Sequence, residues 1–294
     1  MSSDDRRAQL AARRLLRLAD QATPRTRQQI ERALNELRLS VPLDHLERVI
    51  QSGDYFSMTT LLSQMPKRMA AVVKTLRGLF LKAAAEETLK LRAYGVGLQF
   101  NVFDPFMIES ARLESARMVR SITDESRRAI QHVMARSFRE GIRPRNAAKM
   151  IRSVIGLTER QSAQVTQYHL KLVASGKPAF VAQQSSAQLA DKLLRQRAVM
   201  IARTETIAAA TSGQLTAWRA AQQRGLLPTE ARKVWLTTPD DRMCKACRRM
   251  HGQSVLLYSE FVSPYGPVYG PPLHPQCRCA LALGEVDLKR RSAA

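Results

Sequence analysis

The residues with the clearest chemical potential are four cysteines and one histidine near the end of the sequence: Cys244, Cys247, His274, Cys277 and Cys279. Two residues separate the first two cysteines, so that one tight turn can direct both thiolates at a single metal ion at about 2.3 Å. A tetrahedral Zn²⁺ ion needs two such pairs of ligands. The spacing therefore predicts a zinc site that uses four of these five residues.

Spacing alone does not decide which two residues form the second pair of ligands. His274 with Cys277 repeats the two-residue gap, while Cys277 with Cys279, or His274 with Cys279, are the alternatives. Four buried free thiols would be the interpretation without a metal. All four cysteines lie within one short segment, however, and the rest of the sequence has none. Clustering of this kind in a chain without a secretory signal favours metal ligands over disulfides.

We expect the metal to be structural. A hydrolytic zinc site keeps one coordination position open and places a carboxylate beside the bound water. Asp240, Asp241 and Glu260 lie near the cysteines in sequence, but no motif of a zinc hydrolase or deaminase surrounds them. The sequence also has no glycine-rich phosphate loop and no nucleophile elbow. His251 is accordingly expected at the surface or in the outer shell, not as a ligand.

The second strong feature is positive charge. The chain has 47 Lys and Arg against 25 Asp and Glu, a formal net charge of +22. The excess runs along the whole sequence and is smallest after residue 250. Such a field attracts a polyanion or an acidic protein surface. Of the basic residues 36 are Arg, which favours bidentate contacts to phosphate or carboxylate, although a GC-rich genome produces the same bias.

The sequence predicts no membrane-spanning segment. No run of about 18 apolar residues occurs, and the most hydrophobic window, Met69 to Ala85, contains Lys74, Arg77 and Lys82. The first residues also lack the apolar segment and cleavage site of a secretory signal. We therefore expect synthesis and residence in a reducing cytoplasm.

Apolar residues recur at helical spacing through most of the chain. From Asp5 to about Ser40 they describe a basic amphipathic arm with a break at Pro24, where Thr23 would be the N-cap of a second helix. Such an arm could lie on a membrane or on a partner, but an ordinary surface helix is the simpler interpretation.

Turn residues then separate a series of further helices. The series comprises helices within 41–100 interrupted near Gly53 and at Pro66, one long helix from Ile108 to Glu140 closed by Gly141, a helix from Pro144 to Ile155, one that begins at the N-cap Thr158, and a last long helix from Lys192 to about Arg224. After Pro228, short apolar runs at Val234–Leu236 and Val255–Tyr258 predict brief strands.

The predicted fold class is mainly α, with long amphipathic helices in an N-terminal helical region and a central bundle or stalk, followed by a small α+β unit stabilised by zinc. The predicted division is an arm at 1–40, an N-terminal helical region at 41–100, a long-helix region at 101–227, a zinc-binding unit at 228–283 and a tail at 284–294.

The region around the cysteines resembles the phage head morphogenesis family, also called Mu F-like minor head proteins. The residues that carry the resemblance are Arg203-Thr-Glu205, Lys233-Val-Trp235, Asp241-Arg-Met-Cys244-Lys-Ala-Cys247, Gly252 and Pro271-Pro-Leu-His-Pro-Gln-Cys-Arg-Cys279, together with Arg127-Arg-Ala-Ile130, the turn from Ser137 to Pro144, and Gly156-Leu-Thr-Glu-Arg160. The resemblance covers about residues 105–283, and the combination of its two halves is specific.

The resemblance implies a minor structural protein of a tailed-phage head, associated with the portal vertex of the virion and acting in head assembly or genome packaging and delivery. Its partners would be the portal protein and the major capsid or scaffolding proteins. Direct contact with packaged double-stranded DNA is left open. Zinc would be held by Cys244, Cys247, His274 and one or both of Cys277 and Cys279. No catalytic activity comes with the resemblance.

Two other functions follow from the residues alone. The charge and the His/Cys cluster together would suit a zinc-dependent nuclease, with His251 as general base. The charge by itself would suit a sequence-tolerant DNA-binding protein whose affinity falls steeply with salt. The pattern of the sequence identifies no particular DNA-contacting residues.

Overall fold

The protein is mainly helical, with a small region of strands near the C-terminus, as the sequence predicts. The structure is a computed structural model, and it describes residues 3–54, 60–93, 95–99, 101, 104–238 and 243–284. The helices are α1 (Ser3–Ser40), α2 (Leu43–Ser52), α3 (Met65–Arg68) preceded by a 3₁₀ turn (Leu61–Gln64), α4 (Ala70–Ala93), α5 (Pro105–Arg139), α6 (Pro144–Val154), α7 (Glu159–Ala174), α8 (Ala179–Gln223) and α9 (Lys245–Met250).

The chain divides into two compact units. Unit 1 comprises residues 1–26, 74–115 and 200–294, and unit 2 comprises residues 27–73 and 116–199. Helices α1, α4, α5 and α8 contribute residues to both units. The domain division proposed from the sequence stays a prediction.

Helix α1 continues through Pro24, so the predicted break with Thr23 as N-cap is wrong. Thr23 instead donates its hydroxyl hydrogen to Ala19 O at 2.8 Å, as a residue inside a helix does. A proline inside a helix costs about 3 kcal/mol because it removes one hydrogen bond and crowds the preceding turn. Burial of Leu15 before the proline and of Ile30 after it offsets that cost.

The other predicted helix ends are close to the observed ones. Thr158 caps α7 through a reciprocal pair of hydrogen bonds with Gln161, and Gly141 ends α5 with a positive φ of 60°. Helix α8 starts at Ala179, earlier than the predicted Lys192. Its first turns bury small residues such as Ala182 and Ala190, which give a weak periodic signal.

In unit 2, two buried arginines hold the turn between α6 and α7. Arg38 Nε donates to Ile155 O at 2.8 Å, and Arg197 Nη1 donates to Gly156 O at 2.5 Å. Arg197 also pairs with the Glu125 carboxylate. Buried carbonyl groups need such donors, so this arginine clasp satisfies a turn that has no repetitive backbone pairing.

In unit 1, helix α4 packs against α8 through a buried carboxylate. Glu87 accepts hydrogen bonds from Trp218 Nε1 at 2.9 Å, Gln214 Nε2 at 3.3 Å and Lys90 Nζ at 2.8 Å. Gly213 of α8 lies directly against Phe80 O of α4, where a Cβ atom would clash. The two helices can therefore approach closely only with glycine at this position.

The strands form two small antiparallel sheets in unit 1. The first has the order β2 (Ser254–Leu256), β1 (Arg232–Leu236) and β5 (Ala280–Leu283), and the second is the hairpin of β3 (Phe261–Ser263) and β4 (Gly266–Val268). Of these, β1 and β2 were predicted, and β2 ends before Tyr258. In the register of β1 with β5, Trp235 lies opposite Leu281, and its ring meets Phe261 edge to face at a centroid distance of 5.2 Å.

Candidate metal centre

The first two cysteines lie at the start of α9. Cys244 is the N-cap residue of this helix, and Cys247 N donates a hydrogen bond to Cys244 Sγ at 3.3 Å. The extended backbone of Cys244 followed by one helical turn brings both thiols to the same side. The predicted two-residue spacing therefore forms the tight turn that a metal-binding pair requires.

The second group lies in the loop that leads into β5. Cys277 N donates to His274 O at 3.1 Å, and the intervening Gln276 has a positive φ of 61°. His274 Nδ1 lies 2.8 Å from Pro275 O. Because a carbonyl oxygen can only accept, Nδ1 carries the hydrogen, and the Nε2 lone pair is free for a metal.

His274 Nε2 points at the first pair of cysteines. It lies 3.2 Å from Cys244 Sγ and 3.0 Å from Cys247 Sγ. Cys247 Sγ is 3.8 Å from Cys277 Sγ. A tetrahedral zinc ion with Zn–S distances of about 2.3 Å separates two sulfur ligands by about 3.8 Å, so these two thiols match one edge of such a site.

The structure brings all five predicted residues together in two overlapping groups. In each group the ligand atoms lie within 4.8 Å of one another: Cys244, Cys247 and His274 in one, and Cys247, Cys277 and Cys279 in the other. Cys247 is common to both groups. The cluster could therefore hold a metal ion.

Cys279 lies behind this cluster, next to β5. It is a diagonal neighbour of Trp235 in the β1–β5 register and is only 2% exposed. Trp235 Nε1 is buried and makes no hydrogen bond to the described residues.

Without a cation the thiols do not ionise together. The Cys279 thiol donates to Cys277 and lowers the pKa of Cys277 to about 5. Burial and the neighbouring Cys277 charge raise the pKa of Cys247 to about 12. The Cys277 hydrogen bond and burial also raise the pKa of Cys279. A divalent cation would remove this conflict, because it stabilises several thiolates at once and releases their protons.

The two halves of the sequence motif meet at this site. Gln276 N donates to Thr204 Oγ1 at 3.3 Å, so the Arg-Thr-Glu segment of α8 supports the turn between His274 and Cys277. Sequence reasoning missed this role of Thr204, although the motif itself was the available signal.

His251 and Glu260 lie outside the cluster. His251 Nδ1 accepts a hydrogen bond from Thr237 N at 3.2 Å and lies 3.0 Å from Thr237 Oγ1. It belongs to neither group of metal-ligand atoms in the described chain. Glu260 is exposed, and Asp240 and Asp241 fall outside the described residues.

A buried lysine supports the hairpin near the metal centre; sequence reasoning missed its burial, although Lys233-Val-Trp235 is part of the motif that carries the resemblance. Lys233 of β1 is 0% exposed and donates to Tyr269 O at 2.9 Å. Its Nζ lies 5.3 Å from the ring centres of Phe261 and Tyr269. Burial, with a smaller contribution from Arg219, lowers the pKa of Lys233 to about 7. These contacts attach β4 to β1.

In the described part of the chain, no helix combines the length and the apolar character needed to cross a membrane.

A family model described as Phage Mu protein F like protein matches residues 128–282. Comparisons with curated proteins and with solved structures gave no match. The matched segment covers more than half of the chain and contains the whole Cys/His cluster, as the resemblance of the motifs predicts. The chain therefore belongs to the Phage Mu protein F like family.

Proposed function

We propose that the protein is a minor structural component of a tailed-phage head, located at the portal vertex and acting in head assembly or in genome packaging and delivery. The observation that carries this proposal is the family match over residues 128–282, since membership suggests a phage head protein. Its partners would be the portal protein and the major capsid or scaffolding proteins.

The location can be tested in particles of the phage or prophage that encodes the chain. A small epitope fused to the protein, followed by immunogold imaging, should label one vertex of each head. Loss of the gene should reduce the yield of infectious particles. Labelling of every vertex would contradict the portal assignment, and absence of the protein from purified heads would contradict the head assignment as a whole.

The metal in this proposal is a structural Zn²⁺ ion. It would cross-link the start of α9 to the loop before β5, two segments that are separated by β2, β3 and β4 along the chain. Cys244 and Cys247 both lie close to His274 Nε2, and Cys277 Sγ lies 3.8 Å from Cys247 Sγ, so we favour a ligand set of Cys244, Cys247, His274 and Cys277. Cys279 would then stand behind Cys277 as an outer-shell thiol.

Single serine variants test this ligand set. Cys277→Ser should lose bound zinc and the thiolate charge-transfer bands of the Co²⁺-substituted protein, because one ligand is removed. Cys279→Ser should keep full metal occupancy and change the bands only slightly. The reverse pattern would show that Cys279 is the fourth ligand, and equal zinc content in both variants and the native chain would remove the metal proposal.

A catalytic role has no specific support in the described site. His251 Nδ1 is occupied by Thr237, and the donor set is rich in thiols, which suits a closed structural site better than one that activates water. The structural function is therefore the one that the geometry supports best.

A further inference from the structure

The exposed face of α1 in unit 1 carries a row of arginines. We call Arg13, Arg14, Arg17 and Arg25 the arginine ridge; all four are exposed. At about 100° per residue they lie within a sector of roughly one third of the helix circumference. The ridge runs for about 18 Å along the helix, given a rise of 1.5 Å per residue.

The opposite, apolar face of the same segment is buried. The apolar residues Ala12, Leu15, Leu18 and Ala19 are at most 8% exposed. An amphipathic helix binds a membrane surface by inserting its apolar face between the lipids. Since that face is buried within unit 1, the segment is not a free membrane-binding arm, and the ridge is what it presents to the surroundings.

The ridge arginines have no counter-ion within the described chain, whereas later arginines of α1 do. Arg27 pairs with Glu31 at 3.6 Å and Arg32 with Glu36 at 2.8 Å. Asp20 is the acidic side chain that lies beside the ridge. Among the side chains that the structure describes, the ridge therefore keeps a net positive charge.

The chemistry of the ridge fits a phosphate backbone better than a protein surface. The exposed side chains from Arg13 to Arg25 are arginine, aspartate, glutamine and proline. Protein interfaces need buried aromatic or aliphatic anchors at their centre, and the ridge offers none. Guanidinium groups bind phosphates in a bidentate manner, and DNA presents about one negative charge per 1.7 Å of its axis.

We propose that the arginine ridge binds the backbone of double-stranded DNA without reading its sequence. This inference goes beyond the head assignment and does not rest on it, because it concerns a surface remote in sequence from the matched residues 128–282. Each arginine that neutralises one phosphate should release about one counter-ion, so the affinity should fall steeply as salt rises.

The test compares the full-length protein with a ridge variant in which Arg13, Arg14, Arg17 and Arg25 are all changed to Gln. Binding to a labelled duplex of mixed sequence is measured by fluorescence anisotropy between about 50 and 200 mM salt. We expect the ridge variant to bind at least about tenfold more weakly and to lose about 3 to 4 from the slope of log K against log salt.

A matched control removes the same charge elsewhere. It changes four arginines that already pair with acids to Gln: the exposed Arg27, Arg32 and Arg112 and the half-buried Arg127. This variant should retain most of the affinity and the slope. Circular dichroism of both variants must match the native chain, and a ridge variant with Lys in place of Arg should recover the salt slope.

Three outcomes would overturn the proposal. One is an equal loss of affinity in the ridge and control variants, since net charge would then explain the binding. Another is displacement of the duplex by polyglutamate of matched charge as effectively as by unlabelled DNA, which would indicate an acidic protein partner. The third is ridge-dependent binding to anionic lipid vesicles together with unchanged binding to DNA.

Discussion

The candidate metal centre of unit 1 and the arginine clasp of unit 2 both bring side chains to a segment without regular backbone pairing, but they differ in where those side chains lie in the sequence. The clasp stabilises a turn that lacks regular backbone pairing, and a metal ion held by the Cys/His cluster would do the same for the loop before β5. In the metal centre, five donor residues come from two short segments, around Cys244 and around Cys277. In the clasp, Arg38 and Arg197 reach Ile155 and Gly156 from two distant helices.

This difference explains why the sequence identifies one centre and not the other. Metal ligands must converge on one ion, so they occur in pairs with short fixed spacing that can be read directly. The clasp requires only that a guanidinium group reach a carbonyl oxygen in the folded protein. Arg38 lies 117 residues from Ile155, and Arg197 lies 41 residues from Gly156. A lone arginine on a helix predicts only a solvated side chain.

The largest effect should come from removal of the metal. A zinc chelator, or the double variant Cys244→Ser with Cys247→Ser, should destabilise the C-terminal segment of unit 1 by several kcal/mol, because ligand binding and folding are coupled. Trp218 and Trp235 are both 0% exposed and belong to this unit. Their fluorescence should shift to the red as the segment opens.

The contrast with unit 2 provides the control for this experiment. Unit 2 contains no tryptophan, and its helices should keep most of their far-UV circular dichroism after chelation. Readdition of Zn²⁺ should restore the fluorescence of the native chain but not of the double variant. Unchanged fluorescence and thermal stability in the chelated protein would contradict a structural metal.

A smaller effect should follow from breaking the arginine clasp. Arg197→Met removes the donor to Gly156 O and leaves the Glu125 carboxylate without its partner. Loss of a donor to a buried carbonyl group costs about 1 to 3 kcal/mol, whereas the Glu125 side chain is 34% exposed and stays in contact with water. Urea unfolding followed by far-UV circular dichroism should show a lower transition midpoint, with zinc content unchanged.

A double variant separates the two parts of this effect. Arg197→Met combined with Glu125→Gln should be less destabilised than the sum of the two single variants, because the unpaired charge is removed. Strict additivity would show that the ion pair contributes little, and that the bond to Gly156 O carries the effect. Loss of zinc from the Arg197 variant would contradict the independence of the two centres.

The other elements of the fold also differ in whether neighbouring residues in the sequence or distant packing contacts determine them. The long helices follow from apolar periodicity, and Thr158 and Gly141 follow from capping chemistry. The strands β3, β4 and β5 have only three or four residues each, too few for an alternating pattern. Continuation of α1 through Pro24 depends on burial on both sides of the proline, which no local rule contains.

Sequence reasoning predicted neither of two buried cations, Arg197 in unit 2 and Lys233 in unit 1. The two side chains differ in their acid–base chemistry. Arg197 stays charged in the folded protein even though burial lowers its pKa, because a guanidinium group has a very high intrinsic pKa. Burial lowers the pKa of Lys233 to about 7, so this amine loses its proton near neutral pH. The arginine clasp should therefore be insensitive to pH in a range where the Lys233 contacts are not.

The last predicted effect is a dependence of stability on pH that Lys233 causes, with a slope of at most about 1.4 kcal/mol per pH unit. In the unfolded chain the amine titrates near its ordinary value of 10.5, and in the folded chain near 7. Between these values the unfolded state binds more protons, so stability should rise with pH from about 7 towards 10. Lys233→Met should flatten this rise in denaturant unfolding curves followed by tryptophan fluorescence. Arg197→Met should leave the slope of this rise unchanged, because a guanidinium group does not titrate in this range. If the native chain and the Lys233 variant have the same slope, the lysine stays charged in the folded protein, and its contacts to Tyr269 O and the rings of Phe261 and Tyr269 offset the cost of burial.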